Sequence, residues 1–178
     1  IARGLREVAA LPDPVGEGFV ARLARPGGNI TGLSNMVTEV SAKHLELLRA
    51  AVPKLSRVIV LVNPANLGHA DFFKRVQVAE KANNVKISSA QASTASQIDA
   101  VLGAMRKEPA GALIVLPDSF FQEQARRIVE FAVQQRLPTM FSTRQAVESG
   151  GLMSYGQNSA EQYHGAAIYV DKILKGAK

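Results

Sequence analysis

The sequence predicts an α/β fold, a three-layer sandwich built on a mostly parallel sheet of strand order 2-1-3-4-5. Three observations carry this reading. Ala112-Leu113-Ile114-Val115-Leu116 and Val58-Ile59-Val60-Leu61-Val62 are apolar runs without alternation, as in strands covered on both faces. Each run is stopped by proline with aspartate or asparagine, and a helical pattern follows within a few residues. Strand-like and helix-like stretches then alternate with short connections, the signature of a parallel sheet with helices on both faces. Right-handed crossovers favour the open, doubly wound order over a closed barrel, whose full set of strands is not present.

The elements follow from local chemistry. Residues 1–10 show no clear pattern. Leu11-Pro12-Asp13-Pro14-Val15-Gly16 is a turn cluster, Phe19, Val20 and Leu23 form a short helical stripe, and Arg25-Pro26-Gly27-Gly28-Asn29 breaks it. Ile30-Thr31-Gly32-Leu33-Ser34 reads as an extended segment, a candidate crossover between two bodies. Ser41 is expected to cap a helix with Leu45, Leu48 and Val52 on its apolar face. After the Val58 strand, a helix carries Phe72, Val76 and Ala79. Val85-Lys86-Ile87-Ser88 alternates like a more exposed strand. Thr94 with Gln97, Ser119 with Gln122 and Ser142 with Gln145 all have capping-box spacing, each placing a helix start behind a strand or turn. Ile98, Val101, Leu102 and Met105 line the first of these helices. The second carries Ala125, Ile128, Val129, Ala132 and Val133 as far as Leu137-Pro138. Thr139-Met140-Phe141 and Leu152-Met153-Ser154-Tyr155 are short strands. The last helix should bury Tyr163, Ala166, Ala167, Val170 and Ile173 on one face.

Composition bounds the rest. At 178 residues with 47% hydrophobic content the chain can bury one respectable core, or one core and part of a second. It starts at Ile1 and stops at Lys178 directly after a helical pattern, so both ends read as cut from a longer protein. No signal peptide or anchor is visible, and no apolar run approaches the ~20 residues of a membrane helix. With no cysteine, disulfide and thiolate chemistry are excluded. The net charge is +6, but the basic residues are scattered, mostly at outward helical positions beside acids. There is no tryptophan and 6% aromatic content, so a base-stacking platform and a nucleic-acid partner are not expected.

Parallel strands send their carboxyl ends to one edge, where open sheets hold ligands. Four loops should meet there: Asn63 to Asn66, Asp118 to Ser119, Ser142 to Arg144, and Tyr155 to Asn158. They offer amide, hydroxyl, carboxylate, guanidinium and phenol groups beside helix N-termini, which favour an anionic group. A carboxylate such as Asp118 suits an ammonium, so together the loops could hold a zwitterion. Each loop also has a purely local reading: a turn at Asn63-Pro64-Ala65-Asn66, helix caps at Asp118-Ser119 and Ser142-Thr143, packing at Tyr155. Their convergence on one edge is more than capping alone requires. Catalytic patterns are poor. His44, His69 and His164 are far apart and read as surface residues on helices, without metal-ligand spacing. Nucleophile-elbow, phosphate-loop and dinucleotide glycine fingerprints are lacking. The expectation is a binder, with no catalytic residues, metal or cofactor.

Several motifs in series extend this. They are Asp13-Pro14-Val15-Gly16, Leu23-Ala24-Arg25-Pro26-Gly27-Gly28-Asn29-Ile30-Thr31-Gly32, Val62-Asn63-Pro64-Ala65-Asn66 and Leu113-Ile114-Val115-Leu116-Pro117-Asp118. Gly150-Gly151-Leu152-Met153-Ser154-Tyr155-Gly156 and Tyr169-Val170-Asp171-Lys172-Ile173-Leu174-Lys175-Gly176-Ala177 complete the set. The series resembles the ABC-transporter substrate-binding proteins of tryptophan/tyrosine type, a periplasmic binding protein family. The resemblance implies one lobe of a type I periplasmic-binding-protein fold over 33–155, with 1–32 a remnant of the other lobe leading to the hinge and 156–178 a helix returning to it. It implies a small amino acid or related metabolite bound in an interlobe cleft faced by Asp13, Asn63, Asn66, Asp118, Ser142 and Tyr155, and delivered to an ABC permease. Ser119 and Thr143, on the same strand-end loops, join these as candidate ligand-binding residues. It also implies an extracytoplasmic, periplasmic location and a hinge near Gly32 to Ser34 and Tyr155 to Gly156. A piece of a two-lobed protein exposes cleft and hinge surface and is open to self-association. The competing classes are the ligand-sensing domain of a transcription regulator and a receiver-like signalling domain. The latter needs an acidic cluster where this chain has Asn63-Pro64.

Overall fold

In chain order the elements are β1 (Glu7–Leu11), β2 (Ile30–Ser34), α1 (Val37–Ala51), β3 (Arg57–Val62), α2 (Gly68–Asn83), β4 (Lys86–Gln91) and α3 (Ala95–Lys107). Then come β5 (Ala112–Val115), α4 (Ser119–Glu123), α5 (Ala125–Gln134), β6 (Thr139–Phe141), α6 (Arg144–Glu148), β7 (Met153–Ser154) and α7 (Ser159–Leu174). The computed structural model describes residues 7–11, 15, 18, 20–22, 30–34, 37–156 and 158–176. Asp13, Phe19, Leu23 and the break at Arg25-Pro26-Gly27-Gly28-Asn29 lie outside these. The chain divides into two compact units, Ile1–Val37 with Gln157–Lys178, and Thr38–Gly156.

In the first unit β1 pairs parallel with β2, from Glu7↔Ile30 to Leu11↔Ser34. The patternless start of the chain therefore contains a strand. Glu7-Val8-Ala9-Ala10-Leu11 has little intrinsic strand preference, and its partner lies more than twenty residues away, so pairing rather than propensity forms it. Helix α7 packs on both strands, with Gly165 beside the Leu33 side chain. Asn158 caps it by accepting the Ala160 N–H at 3.1 Å. Tyr163 and Val170, expected on its buried face, are exposed instead.

In the second unit five parallel strands run in the order β4-β3-β5-β6-β7, the expected 2-1-3-4-5. One sheet face presents Ile59, Leu61, Leu113, Val115 and Phe141 to Ile98, Leu102 and Met105 of α3 and to Ile128, Val129, Phe131 and Ala132 of α5. The opposite face, with Val58, Val60, Ala112, Ile114 and Met140, is equally buried, and α1 and α2 supply buried Leu45, Leu48, Phe72 and Val76. Burial on both faces is why these strands lack alternation. Edge strand β4 does alternate: Ile87 is buried between exposed Lys86 and half-buried Ser88.

Helix boundaries differ from the spacing-based expectation in instructive ways. Helix α1 begins at Val37, so Ser41 lies inside it rather than at its cap. Thr94 does cap α3, accepting the Gln97 N–H, but the Gln97 carboxamide returns to the Ser93 N–H. At α4 the cap is Asp118, not Ser119, and the helix breaks at Gln124 before α5. Helix α5 ends four residues before Pro138, closed by Arg136 in the left-handed region (φ 50) and by the Leu137 N–H donating to the Ala132 carbonyl at 2.8 Å. Thr143 occupies the cap position of α6 without a side-chain bond, which removes Ser142 from that role.

Candidate functional site

The carboxyl ends of β3, β5, β6 and β7 lie along one edge of the sheet, bearing Asn63–Asn66, Pro117–Ser119, Ser142–Thr143 and Tyr155–Gly156. The strand order reverses between β3 and β5, and the helices that follow these two strands leave toward opposite faces. Such a switch point opens a crevice at the strand ends. Two of the polar loops sit there.

These two loops are bonded to each other. The Asp118 carboxylate, 7% exposed, accepts from Asn63 Nδ2 at 3.2 and 3.3 Å, from Asn66 Nδ2 at 2.9 Å and from the Phe120 N–H at 3.0 Å. The amide oxygens face inward to their own loop. Asn63 Oδ1 accepts the Ala65 N–H at 3.0 Å, and Asn66 Oδ1 accepts the Gly68 N–H at 3.2 Å. The Asn66 N–H donates to the Asn63 carbonyl, closing the turn that Pro64 favours. Turn and cap, offered above as local readings, are both present, and they are joined into one network across two strands.

Across a small cavity of about 20 Å³ from Asp118 stand Ser142 and Thr143, with Pro117, Phe121 and Gln122 completing its lining on the α4 side. The Ser142 hydroxyl is buried and has no hydrogen-bond partner among the described residues. Ser119 is exposed at the first turn of α4. Tyr155 is one strand further along. Its N–H donates to the Phe141 carbonyl at 3.0 Å, and the residue is 43% exposed. Gly156 then passes so close to the β6 loop that a Cβ there would overlap the Ser142 carbonyl oxygen. The structure thus bonds Asn63, Asn66 and Asp118 together, sets Ser142 and Thr143 on the same small cavity as Asp118, and leaves Tyr155 outside both groups. Asp13 lies outside the described residues.

Two histidines correct the sequence reading. His44 and His69 are 0% and 4% exposed, not surface residues, while His164 is exposed as expected. His44 Nε2 donates to the Tyr155 carbonyl at 2.5 Å, and its ring meets Phe72 and Tyr155. His69 Nδ1 accepts the Asn63 N–H at 2.8 Å, and its Nε2 donates to the Pro117 carbonyl at 3.1 Å. Burial pushes both imidazoles below their usual range. Hydrogen bonds to backbone carbonyls oppose this in each, and the Asp118 charge also does so at His69. Both signals were in the sequence: His44 is four residues before Leu48, and His69 three before Phe72 and seven before Val76, on the buried stripes. Among the described residues no cluster of histidine and carboxylate groups could hold a metal ion.

The polar strand-end loops of this doubly wound sheet lie at the switch point, where open α/β sheets hold small molecules. Residues 8–178 match the profile of the ABC transporter substrate binding proteins, and the chain belongs to that family. It is 24% identical over 169 residues to a tyrosine-binding protein of Clostridioides difficile, a match covering 95% of this chain and 48% of the relative. A Streptococcus pneumoniae ABC domain solved in complex with L-Trp superposes with a TM-score of 0.83 at 22% identity, covering 96% of this chain and 57% of the other. A conserved domain protein of Vibrio cholerae gives 0.80 at 24% identity, covering 93% and 55%. The ligand-free, open form of a substrate binding protein with adhesive properties from Clostridium difficile gives 0.69 at 24%, covering 95% and 56%. The chain spans about half the length of these relatives. No helix among the described residues is long and apolar enough to cross a membrane.

Proposed function

We propose that this chain is part of the solute-binding component of an ABC importer, taking a small amino acid or related metabolite outside the cytoplasm and passing it to a membrane permease. In this reading 33–155 form one lobe, 1–32 and 156–178 belong to the other, and the protein binds its solute without transforming it. The observation that carries the proposal is the bonded Asn63–Asn66–Asp118 network at the switch point, whose Asp118 shares a small cavity with Ser142 and Thr143. Ligand contacts are assigned to Asp13, Asn63, Asn66, Asp118, Ser119, Ser142, Thr143 and Tyr155. Both oxygens of Asp118 already accept N–H bonds, so its charge attracts the ligand ammonium while holding the two asparagines in place. The hydroxyls of Ser119, Ser142 and Thr143 suit the ligand carboxylate.

The test is a thermal-shift panel of amino acids, tryptophan and tyrosine included, on the protein at the full length of its relatives. A ligand at ~100 times its dissociation constant stabilises by about 2.7 kcal/mol, a rise of several degrees. Such a rise, reduced in Asp118→Asn, supports the assignment. No rise with any amino acid counts against it.

A further inference from the structure

The β3–β5 ladder ends where the Asn63–Asn66 and Pro117–Ser119 loops begin, and these two loops make up one wall of the candidate site. Its last paired residues are Leu61 and Val115, followed by a long bond of 3.4 Å from the Leu116 N–H to the Leu61 carbonyl. Pro117 has no N–H, so the ladder cannot continue through it. Beyond this point the Asn63 N–H and the Pro117 carbonyl would be left unpaired near the core. His69, in the first turn of α2, reaches both: Nδ1 takes the Asn63 N–H, and the Nε2 proton goes to the Pro117 carbonyl. Its ring lies against Phe121 of α4 at 6.0 Å and 21°, and Nε2 is 3.9 Å from Asp118 Oδ2. One imidazole therefore bridges the two strand ends, while the same two loops are joined above it by Asn63 and Asn66 to Asp118. An acceptor on one side and a donor on the other fit a single species, the neutral ring protonated at Nε2.

We infer that His69 is a positioning residue for this wall, a neutral spacer that fixes the separation of the β3 and β5 strand ends and thereby the placement of Asn63, Asn66 and Asp118. The inference rests on the proposed function for its biological meaning, but the geometry can be tested without ligand. Nitrogen-15 NMR of the unliganded chain near neutral pH should show Nε2 protonated and Nδ1 bare at His69. In His69→Phe, which keeps a ring against Phe121, the Asn63 amide should exchange with solvent about tenfold faster and the Asn63 and Asn66 carboxamide signals should move. Protection at Leu113 should be unchanged. His69→Gln, with one acceptor and one donor, should recover part of the Asn63 protection. A ring protonated at Nδ1, or unchanged Asn63 exchange in His69→Phe, overturns the inference. If His69→Phe does not fold, the wild-type tautomer decides. In the longer protein, affinity for any amino acid found to bind should fall about tenfold in His69→Phe. Unchanged affinity would refute the positioning role while leaving the binding proposal intact.

Discussion

Replacing Asp118 by alanine removes two supports at once, and their separate sizes can be worked from the structure. The carboxylate caps α4 through the Phe120 N–H, a bond whose loss costs about 1 kcal/mol. It is also the acceptor for the Asn63 and Asn66 carboxamides. Asn66 is half-buried and can turn to water, but Asn63 is 8% exposed and cannot do so freely. A buried donor left without its partner costs about 1–3 kcal/mol. The sum is about 3 kcal/mol. With a urea slope of about 2 kcal/mol per molar for a domain of this size, the unfolding midpoint should fall by about 1.5 M. Asp118→Asn keeps an oxygen for the Phe120 N–H and for Asn63, while its amide faces that of Asn66, so a loss of about 1 kcal/mol is expected. Urea titrations followed by circular dichroism measure both. Equal losses in the two variants, or losses under about 0.5 kcal/mol in both, would refute the claim that one carboxylate couples the strand ends.

Two glycines should respond in opposite directions. Gly156→Ala forces a Cβ against the Ser142 carbonyl oxygen, so the backbone must shift, and melting should fall by about 4 °C or more. Gly103→Ala, in α3 with nothing within 4 Å of the added carbon, should stabilise by about 0.5–1 kcal/mol in the same assay. Acid sensitivity should trace to the buried imidazoles. With the folded-state pKa values of His44 and His69 lowered below 6.5, the unfolded chain takes up protons first as pH falls. Stability should be level above about pH 7 and decline below about 6.5, and His69→Gln should flatten that decline in urea titrations at stepped pH.

Residues whose environment is set by neighbours in sequence were readable, and those set by partners across the sheet were not. The uninterrupted runs around Val60 and Ile114 announced strands covered on both faces, and short helix-bearing connections then fixed the order. Strand β1 escaped notice because its ladder with β2 is its main reason to be extended. Serine followed three residues later by glutamine suggested caps at Ser119 and Ser142. At the first, Asp118 stands one residue closer to the turn and takes the bond. At the second, Ser142 is drawn under the Gly156 segment, and Thr143 fills the cap position. The polar loops themselves were legible. That Asn63, Asn66 and Asp118 bond to one another depends on the β3–β5 register, which no local pattern encodes. The histidines were misjudged by residue type, although their spacing from Leu48, Phe72 and Val76 placed them inside.

The Asn63–Asp118–His69 network satisfies its hydrogen bonds internally, and this separates two kinds of position along the same rim. The side chains of Ser119, Gln122 and Thr143 flank the network without sharing its bonds. Varying those three in combination would sample many chemically distinct rims on one unaltered support. The lobe is thus a natural starting scaffold for redesigned recognition.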